Sequence, residues 1–252
     1  MAWMSSLRSA PAGDTEAAAS ILREDGVVRL DEVWTRDTLI AARDVVFAGH
    51  PEFADPANLT DVLRNGEGRF IAPVMLGHGL LDLGLLDNAA VEALLESALG
   101  SAWVHEAFGM MMAHGGCPDQ HVHRDTDPLF PETGVDPLLP PTVLTIAIPL
   151  VDTGEANGRT AFYPGSHRTG SRDGISPASI DVPLGSALVW DFRTIHYGCA
   201  NTSNEDRPLL YFTSCRPFWF DHKNFGTGNQ RLVAEAEVLD SLGPRFVRTL
   251  LA

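Results

Sequence analysis

The chain has 252 residues, 44% of them hydrophobic, which is enough to build a large core. Its formal net charge is −15, from 33 acidic and 18 basic residues, so its surface repels phosphate backbones and nucleic-acid binding is disfavoured. The three widely spaced cysteines indicate neither a disulfide framework nor a zinc knuckle, and they favour a reducing, cytoplasmic setting. No segment approaches the roughly 20 consecutive apolar residues that span a bilayer, so no membrane partner is expected.

The first hundred residues are predicted to be mainly helical. Three apolar stripes recur with helical spacing in this part of the chain. Each stripe follows a residue that caps helices well: Asp14 or Thr15, Thr35, and Asn88. Gly26 and Gly100 are placed to end the first and third helices. Short extended segments are expected between the helices, at Val27–Leu30 and Arg69–Ala72.

After residue 101 the pattern changes to that of a β domain. Short runs rich in Val, Ile, Thr and aromatic residues alternate with clusters of Gly, Pro, Asn and Asp. The predicted strands are Trp103–Ala113, Gln120–Asp125, Val143–Leu150, Thr160–Tyr163, Ala187–Phe192 and Leu209–Cys215. Many short strands with irregular connections are typical of a mainly β fold of the jelly-roll or cupin-like kind, the double-stranded β-helix. We therefore expect a single domain over 1–252, with a mainly helical part (1–100), a jelly-roll core (101–217) and a C-terminal segment (218–252).

One predicted strand contains a candidate pair of metal ligands. His123 and Asp125 are separated by a single residue, and alternate residues of a strand point to the same face. Their imidazole and carboxylate can therefore aim at one point. His196, much further along the chain, is the candidate third ligand. Two histidines and one carboxylate on one face hold Fe(II) and leave three positions open for chemistry.

A three-histidine metal site is the main alternative. His121 shares the predicted strand face with His123, and together with His196 it would form a cupin-like site. Cupins with that site usually add a Glu a few residues later, and Glu132 lies too far along. Replacing Asp125 would leave such an enzyme metallated. A non-catalytic small-molecule binding protein of the same fold is a third interpretation, and it predicts ligand binding without oxygen consumption.

Further motifs complete an ordered pattern. Asn157–Thr160 reads N-G-R-T, Pro164–His167 reads P-G-S-H, and Arg207 follows His196 by eleven residues. In this order and spacing, across roughly residues 100–217, the chain resembles the phytanoyl-CoA dioxygenase family of Fe(II)/2-oxoglutarate oxygenases. The pattern Gln120…H-R-D and the threonine of N-G-R-T look most like the branch that oxidises terpenoid and alkaloid natural products.

The resemblance implies that Fe(II) and 2-oxoglutarate are the cofactors. A cation must then hold the far carboxylate of 2-oxoglutarate, and an arginine suits this because its guanidinium pairs bidentately with a carboxylate. Spacing favours Arg207, while Arg193 and Arg216 are competing anchors. The resemblance adds Gln120 and Thr160 as further polar contacts to the cosubstrate.

The expected reaction is a C–H oxidation of a small molecule by dioxygen. Related halogenases carry a small residue where this chain has Asp125, so hydroxylation or desaturation is favoured over halogenation. The acidic surface, the proline-rich loop Thr126–Pro141 and the aromatic run Phe218–Phe220 favour an uncharged or cationic apolar substrate, such as a natural-product intermediate. An exposed apolar patch on the helical half would support a homodimer. A structural role is expected for the remaining histidines: His50, His78, His105, His114, His167 and His222.

Overall fold

A computed structural model describes residues 5–54, 62–221, 232–248 and 250–251. The helices in these ranges are α1 (Thr15–Asp25), α2 (Arg36–Gly49), α3 (His78–Leu81), α4 (Ala89–Leu99) and α5 (Ser166–Thr169). The strands are β1 (Ser5–Ser6), β2 (Ser9–Pro11), β3 (Val27–Asp31), β4 (Leu63–Arg64), β5 (Arg69–Pro73), β6 (Met75–Leu76), β7 (Val104–Ala113), β8 (Val143–Pro149), β9 (Thr160–Phe162), β10 (Ala178–Ser179), β11 (Ala187–Asp191), β12 (His196–Gly198), β13 (Arg207–Cys215), β14 (Val233–Ala234) and β15 (Leu250–Leu251). Short 3₁₀ helices occur at Pro51–Ala54, Asp136–Leu138, Ala236–Ser241 and Pro244–Phe246.

The three longer helices begin at the residues that the sequence predicts as caps. The side chains of Asp14, Thr35 and Asn88 each accept hydrogen bonds from backbone N–H groups of the first turn of α1, α2 and α4. Gly26 ends α1 with a left-handed φ of 77°, a conformation that glycine adopts without steric cost. The three helical predictions are therefore confirmed.

The described strands form three sheets. The largest has eight strands in the order β2-β3-β11-β8-β13-β7-β5-β4, a second has the order β1-β10-β9-β12, and a small third sheet joins β15, β14 and β6. Strands β8 and β13 lie at the centre of the largest sheet and are buried along their whole length. The two extended segments predicted among the N-terminal helices are β3 and β5. The first hundred residues thus contribute four strands to this sheet as well as helices.

Alternate residues of β13 serve the two faces of the largest sheet. Leu210 and Phe212 belong to the main hydrophobic cluster, which also contains apolar residues of α1, α2 and α4. Arg207, Tyr211 and Thr213 point to the opposite face and line a cavity. A second apolar cluster joins β9 and β10 of the smaller sheet to β3, β8 and β11 of the larger one. The cavity therefore lies on the face where the two sheets approach each other.

The predicted strand Gln120–Asp125 departs from regular pairing. The segment runs beside β12, where His123 N donates to His196 O at 2.9 Å and His196 N donates back to His123 O at 2.8 Å. Gln120 N donates to Gly198 O at 2.9 Å, so three steps on one side match two steps on the other. Such a mismatch is a bulge, which breaks the alternation of faces. The prediction of a continuous strand is therefore wrong, although the segment does lie against β12.

None of the helices in the described ranges combines the length and the apolar composition that crossing a bilayer requires.

Candidate active site

Three candidate metal ligands lie close together in the lining of the cavity. Ligand atoms of His123, Asp125 and His196 all lie within 4.8 Å of one another. The Nε2 atom of each histidine is 3.7 Å from Asp125 Oδ1. Ligands that each lie about 2.1 Å from one ion are roughly 3.0–3.4 Å apart, so a small adjustment would let these atoms share a metal. The bulged pairing of the segment Gln120–Asp125 with β12 brings His123 and Asp125 close to His196.

Backbone carbonyls orient both imidazole rings. His123 Nδ1 lies 2.8 Å from the carbonyl oxygen of His121, and His196 Nδ1 lies 2.9 Å from that of Thr194. A carbonyl oxygen can only accept, so each Nδ1 acts as the donor and Nε2 is the nitrogen left to meet a metal. Hydrogen bonds of this kind are what orient histidines that bind metals.

The carboxylate of Asp125 is oriented by a tryptophan. The indole Nε1 of Trp190, on β11, donates to Asp125 Oδ2 at 2.9 Å. The backbone N–H of Asp125 donates to Phe192 O at 2.9 Å, which fixes the main chain at the same point. Oδ2 is therefore engaged by the protein while Oδ1 faces the histidines. The arrangement suits a carboxylate that gives one oxygen to a metal.

A buried guanidinium opens into the same cavity. Arg207 is 5% exposed, and its Nε and Nη1 have no hydrogen-bond partner among the described residues. Burial, together with the nearby charge of Arg69, lowers the pKa of Arg207 to about 10, so it is still charged at neutral pH. An unpaired buried charge is destabilising, and a carboxylate accepting both N–H groups would relieve it. The chain therefore offers the two groups that a metal-bound dicarboxylate needs, a ligand cluster and a buried cation.

The competing arginines are engaged elsewhere. Arg193 pairs with the buried carboxylate of Asp191 at 2.9 and 2.7 Å and donates to Asp136 O at 2.7 Å. Arg216 donates to Pro141 O at 2.9 Å. Both side chains thus hold the proline-rich loop to the sheets. Neither is placed to anchor a cosubstrate.

Gln120 and Thr160 both line the cavity. Gln120 Oε1 accepts from Gly198 N at 2.8 Å, and its Nε2 donates to Asn65 O at 3.1 Å. Both ends of this amide are therefore bonded to the backbone, and the residue joins the edge of the largest sheet to β12. Thr160 is half-buried and lies opposite Gly198 in the β9–β12 pair.

His121 is not part of the ligand cluster. It is exposed, and among the described residues the cluster contains only His123, Asp125 and His196. Its ring lies 5.0 Å from that of His123 and it lines the same cavity, but it contributes no ligand atom to the cluster. The geometry therefore does not favour the three-histidine alternative. His222, for which a structural role is expected, lies outside the described residues.

Sequence reasoning missed two side chains of this cavity, Arg69 and Trp190. Arg69 is 5% exposed and its Nη2 donates to Cys199 O at 2.6 Å and to Pro118 O at 3.2 Å. Burial lowers the pKa of Arg69. An arginine beside apolar residues in a predicted strand was the available signal for Arg69. Trp190 gave no local signal, since its partner is 65 residues away in the sequence.

The cavity has a volume of about 350 Å³, within the usual range for small-molecule sites. Its lining groups fall into three sets. The ligand cluster occupies one part, and Arg69, Gln120, Thr160 and Arg207 form the wall on one side. The remaining lining mixes apolar and polar residues, among them Ile71, Met111, Thr145, Phe192, Tyr211, Thr213 and Asp221.

Several known proteins are similar to this chain in sequence. Its residues 22–209 match the family described as phytanoyl-CoA dioxygenase (PhyH). The iron/alpha-ketoglutarate-dependent dioxygenase ausU of Aspergillus calidoustus is 25% identical over 218 residues, which cover 81% of this chain and 72% of that protein. Dioxygenase FUM3 of Gibberella moniliformis is 29% identical over 149 residues, which cover 53% of this chain and 48% of FUM3, about half of its length.

Solved structures share the fold. The non-heme alpha ketoglutarate dependent epimerase SnoN from nogalamycin biosynthesis superposes with a TM-score of 0.61 at 20% identity, covering 87% of this chain and 91% of SnoN. AviO1 from Streptomyces viridochromogenes Tue57 gives a TM-score of 0.65 at 21% identity, covering 81% of this chain and 96% of AviO1. With these structural relatives, the predicted double-stranded β-helix with flanking helices is confirmed. The match over residues 22–209 spans most of the chain, and the chain therefore belongs to the phytanoyl-CoA dioxygenase (PhyH) family.

Proposed function

We propose that this protein is an Fe(II)- and 2-oxoglutarate-dependent dioxygenase that oxidises a C–H bond of a small natural-product intermediate. His123, Asp125 and His196 hold the iron, and Arg207 holds the far carboxylate of 2-oxoglutarate. One observation carries the proposal: the three-ligand cluster and a buried guanidinium with two unpartnered N–H groups open into the same cavity. Similarity to a protein named as an iron/alpha-ketoglutarate-dependent dioxygenase supports the reaction class.

The side chains divide the work of binding and orientation. When bound, iron chelated by 2-oxoglutarate supplies the oxidising chemistry, with dioxygen as oxidant and decarboxylation of the 2-oxo acid to succinate. Asp125 gives one oxygen, because Trp190 engages the other, so the protein ligands take one face and leave the rest for cosubstrate and dioxygen. Arg207 fixes the direction of the cosubstrate by pairing with its far carboxylate. Thr160 and Gln120 add polar contacts on the same wall.

Location and assembly are also part of the proposal. A cytoplasmic setting is supported by the described cysteines, which are all unpaired. A homodimer is supported by large apolar side chains at the surface, although these lie on the proline-rich loop and the C-terminal segment and not on the helical half. They are Leu129, Phe130, Leu138, Phe218, Phe220 and Val247.

Succinate formation tests the proposed function. The purified protein with Fe(II), 2-oxoglutarate and oxygen should form succinate, at least by slow turnover uncoupled from substrate. His123→Ala and His196→Ala should each stop it, whereas His78→Ala, a change at an exposed histidine, should not. Succinate formation that survives both changes would refute the assignment.

Replacing the carboxylate separates this proposal from a three-histidine enzyme. Asp125→Ala should reduce both iron binding and succinate formation, because it removes one of three ligands. Metal content measured after anaerobic desalting reports the first effect directly. A variant that keeps full iron occupancy would favour the three-histidine site instead.

A further inference from the structure

Three hydroxyl groups face the cavity without a hydrogen-bond partner. Thr145 on β8 and Tyr211 and Thr213 on β13 are 4%, 5% and 4% exposed, and all three line the cavity. Among the residues that the structure describes, none of these hydroxyls makes a hydrogen bond. These oxygens are not among the buried polar atoms that lack a partner, so they are accessible from the cavity. A molecule in the cavity can therefore bond to them.

These hydroxyls continue a row that starts at the metal cluster. Thr213 lies directly opposite Thr145 between β13 and β8, and Thr145 lies directly opposite Trp190 between β8 and β11. Trp190 in turn donates to the carboxylate of Asp125. Neighbouring strands are about 4.8 Å apart, so Thr145 and Thr213 are the next two positions across the sheet from that tryptophan.

The Thr145–Thr213 row lies away from Arg207, which is proposed to hold the cosubstrate. Thr213 is six residues beyond Arg207 on β13, which is about 20 Å along an extended strand. The five-carbon chain of 2-oxoglutarate is only roughly 6 Å long. A cosubstrate that joins Arg207 to the metal cluster therefore leaves the Thr145–Thr213 row for a second molecule.

The position of Tyr211 depends on a glycine across the sheet. Gly109 pairs with Tyr211 between β7 and β13, and a Cβ added to Gly109 would lie 2.9 Å from the tyrosine hydroxyl. Glycine thus makes room for the phenol at the cavity wall. Burial and the negative charge of Asp221 raise the pKa of Tyr211, so its hydroxyl stays protonated at neutral pH.

A carboxylate completes this part of the cavity. Asp221 is 3% exposed and lines the cavity with the three hydroxyls. Its backbone N–H donates to Glu106 Oε1 at 3.2 Å, which holds the chain that carries it against β7. An ionised carboxylate only accepts hydrogen bonds, whereas hydroxyls both donate and accept. The combination is complementary to a ligand group that donates.

We propose that Thr145, Tyr211, Thr213 and Asp221 form the substrate subsite, and that the substrate presents a hydroxyl or amine group to them. This inference rests on the oxygenase function proposed above and specifies its substrate class. The apolar body of the molecule packs against the other part of the lining: Ile71, Met111 and Phe192. The subsite orients the substrate so that a C–H bond of that body faces the ligand cluster.

Three indoles with the same apolar body test the subsite. Tryptophol carries a hydroxyl, tryptamine carries an amine, and 3-ethylindole carries neither. Each is titrated calorimetrically, without oxygen, into the full-length protein loaded with Fe(II) and 2-oxoglutarate. A site built to bond a polar group rejects an analogue that lacks it, so tryptophol or tryptamine should bind at least about tenfold more tightly than 3-ethylindole. Equal affinities, or no binding of any of the three, would overturn the proposal.

Matched variants assign the preference to these residues. Thr213→Val and Tyr211→Phe remove a hydroxyl with little change of shape and should abolish most of the preference. Thr153→Val is the control, since Thr153 is buried at 5% exposure and does not line the cavity. A preference that persists in both subsite variants would also overturn the proposal. Thermal unfolding of each variant verifies that it is folded.

The same samples separate failure of the subsite from failure of the proposed function. Binding of 2-oxoglutarate to the Fe(II)-loaded protein is measured before each indole is added. Normal cosubstrate binding with no preference among the indoles would remove the subsite alone. Absence of cosubstrate binding would remove the oxygenase proposal together with it.

Discussion

The indole of Trp190 controls how Asp125 can meet a metal, since it engages Oδ2 at 2.9 Å and leaves Oδ1 toward the histidines. Trp190→Phe keeps an aromatic ring and removes the hydrogen bond. The second oxygen can then turn to the metal and compete with 2-oxoglutarate, whose affinity should fall roughly five- to tenfold, in line with one lost hydrogen bond. The absorption bands of the Co(II)-substituted protein report the change in coordination.

A second buried tryptophan provides the control for this prediction. Trp219 is 5% exposed, like Trp190 at 4%, and its ring contacts Phe192 edge-on. Trp219→Phe should leave the Co(II) spectrum and the cosubstrate affinity unchanged. Identical spectra for the two variants would show that the indole of Trp190 does not orient the ligand.

Arg207 carries a buried positive charge. Its Nε and Nη1 have no hydrogen-bond partner among the described residues. Arg207→Met should weaken 2-oxoglutarate binding about 10- to 100-fold, because a charge-assisted hydrogen-bond pair is lost. It should not lower, and should even raise, the melting temperature of the ligand-free protein, because an uncompensated buried charge is removed. Calorimetric titration and thermal unfolding measure the two effects.

Arg193→Met is the matched change at a buried arginine that has its partners. Here the melting temperature should fall strongly, because Asp191, only 1% exposed, is left as an unpaired buried charge. Loss of stability in Arg207→Met comparable to that in Arg193→Met would contradict the assignment of Arg207 as a ligand-binding group.

The paired strands β7 and β13 bury a histidine whose titration affects folding. His105 is buried, its Nδ1 lies 3.0 Å from Ser214 Oγ, and its pKa is lowered to about 3, mainly by burial. Between pH 6.5 and 3 the unfolded chain binds a proton there that the folded chain does not. This group's contribution to stability is therefore present above pH 6.5 and is lost as the pH falls toward 3, by at most about 1.4 kcal/mol per pH unit.

His105→Gln tests this effect, because glutamine does not titrate. Denaturant unfolding at several pH values should show a shallower loss of stability below pH 6.5 than in the unchanged protein. The other groups that titrate in this range contribute equally to the pH dependence of both proteins, so they cancel in the comparison. Parallel curves for the two proteins would mean that His105 takes up no extra proton on unfolding.

The elements that sequence reasoning predicts well are those with local signals. The caps Asp14, Thr35 and Asn88 begin the three longer helices, because a side chain that accepts from the first turn is a local device. The bulge at Gln120–Asp125 escapes prediction, since it depends on how that segment meets β12, about 70 residues later. His121 does lie beside His123, as alternation predicts, but only His123 belongs to the ligand cluster.

The candidate site divides in the same way. His123, Asp125 and His196 follow from residue type and spacing, and the structure brings them together. Arg69 had a local signal, an arginine in a predicted strand, whereas Trp190 contributes through a contact across the fold that no local pattern encodes. Spacing already favoured Arg207 among the three candidate arginines, and the structure adds that Arg193 and Arg216 are bonded elsewhere.

At the scale of the whole molecule, the cavity differs in charge from the surface. The protein carries a net charge of −15, yet arginines outnumber acidic residues in the cavity lining. The basic residues are Arg64, Arg69, Arg124 and Arg207, and the acidic ones are Asp125 and Asp221. The arginines favour a dianionic cosubstrate in the cavity, whereas the net negative charge of the protein disfavours polyanions.

Ligand binding should stabilise the whole fold, because the site draws its residues from separate elements. His196 comes from the four-stranded sheet, Arg207 from the eight-stranded sheet, and Asp125 directly precedes the proline-rich loop. Fe(II) with 2-oxoglutarate at about 100 times its dissociation constant should add roughly 2.7 kcal/mol to the free energy of unfolding. For a chain of this size that corresponds to a rise of about 5–10 °C in melting temperature. His196→Ala should abolish the rise, and a rise that survives this change would place the ligands elsewhere.

The central claim is that one cavity holds iron on His123, Asp125 and His196 and holds 2-oxoglutarate by Arg207. Anaerobic titration of the Fe(II)-loaded protein with 2-oxoglutarate, followed by visible absorption, tests it most directly. A charge-transfer band should grow to one equivalent, should require much more 2-oxoglutarate in Arg207→Met, and should not form in His196→Ala. No band in the unchanged protein, or an equal band in all three, would contradict the claim.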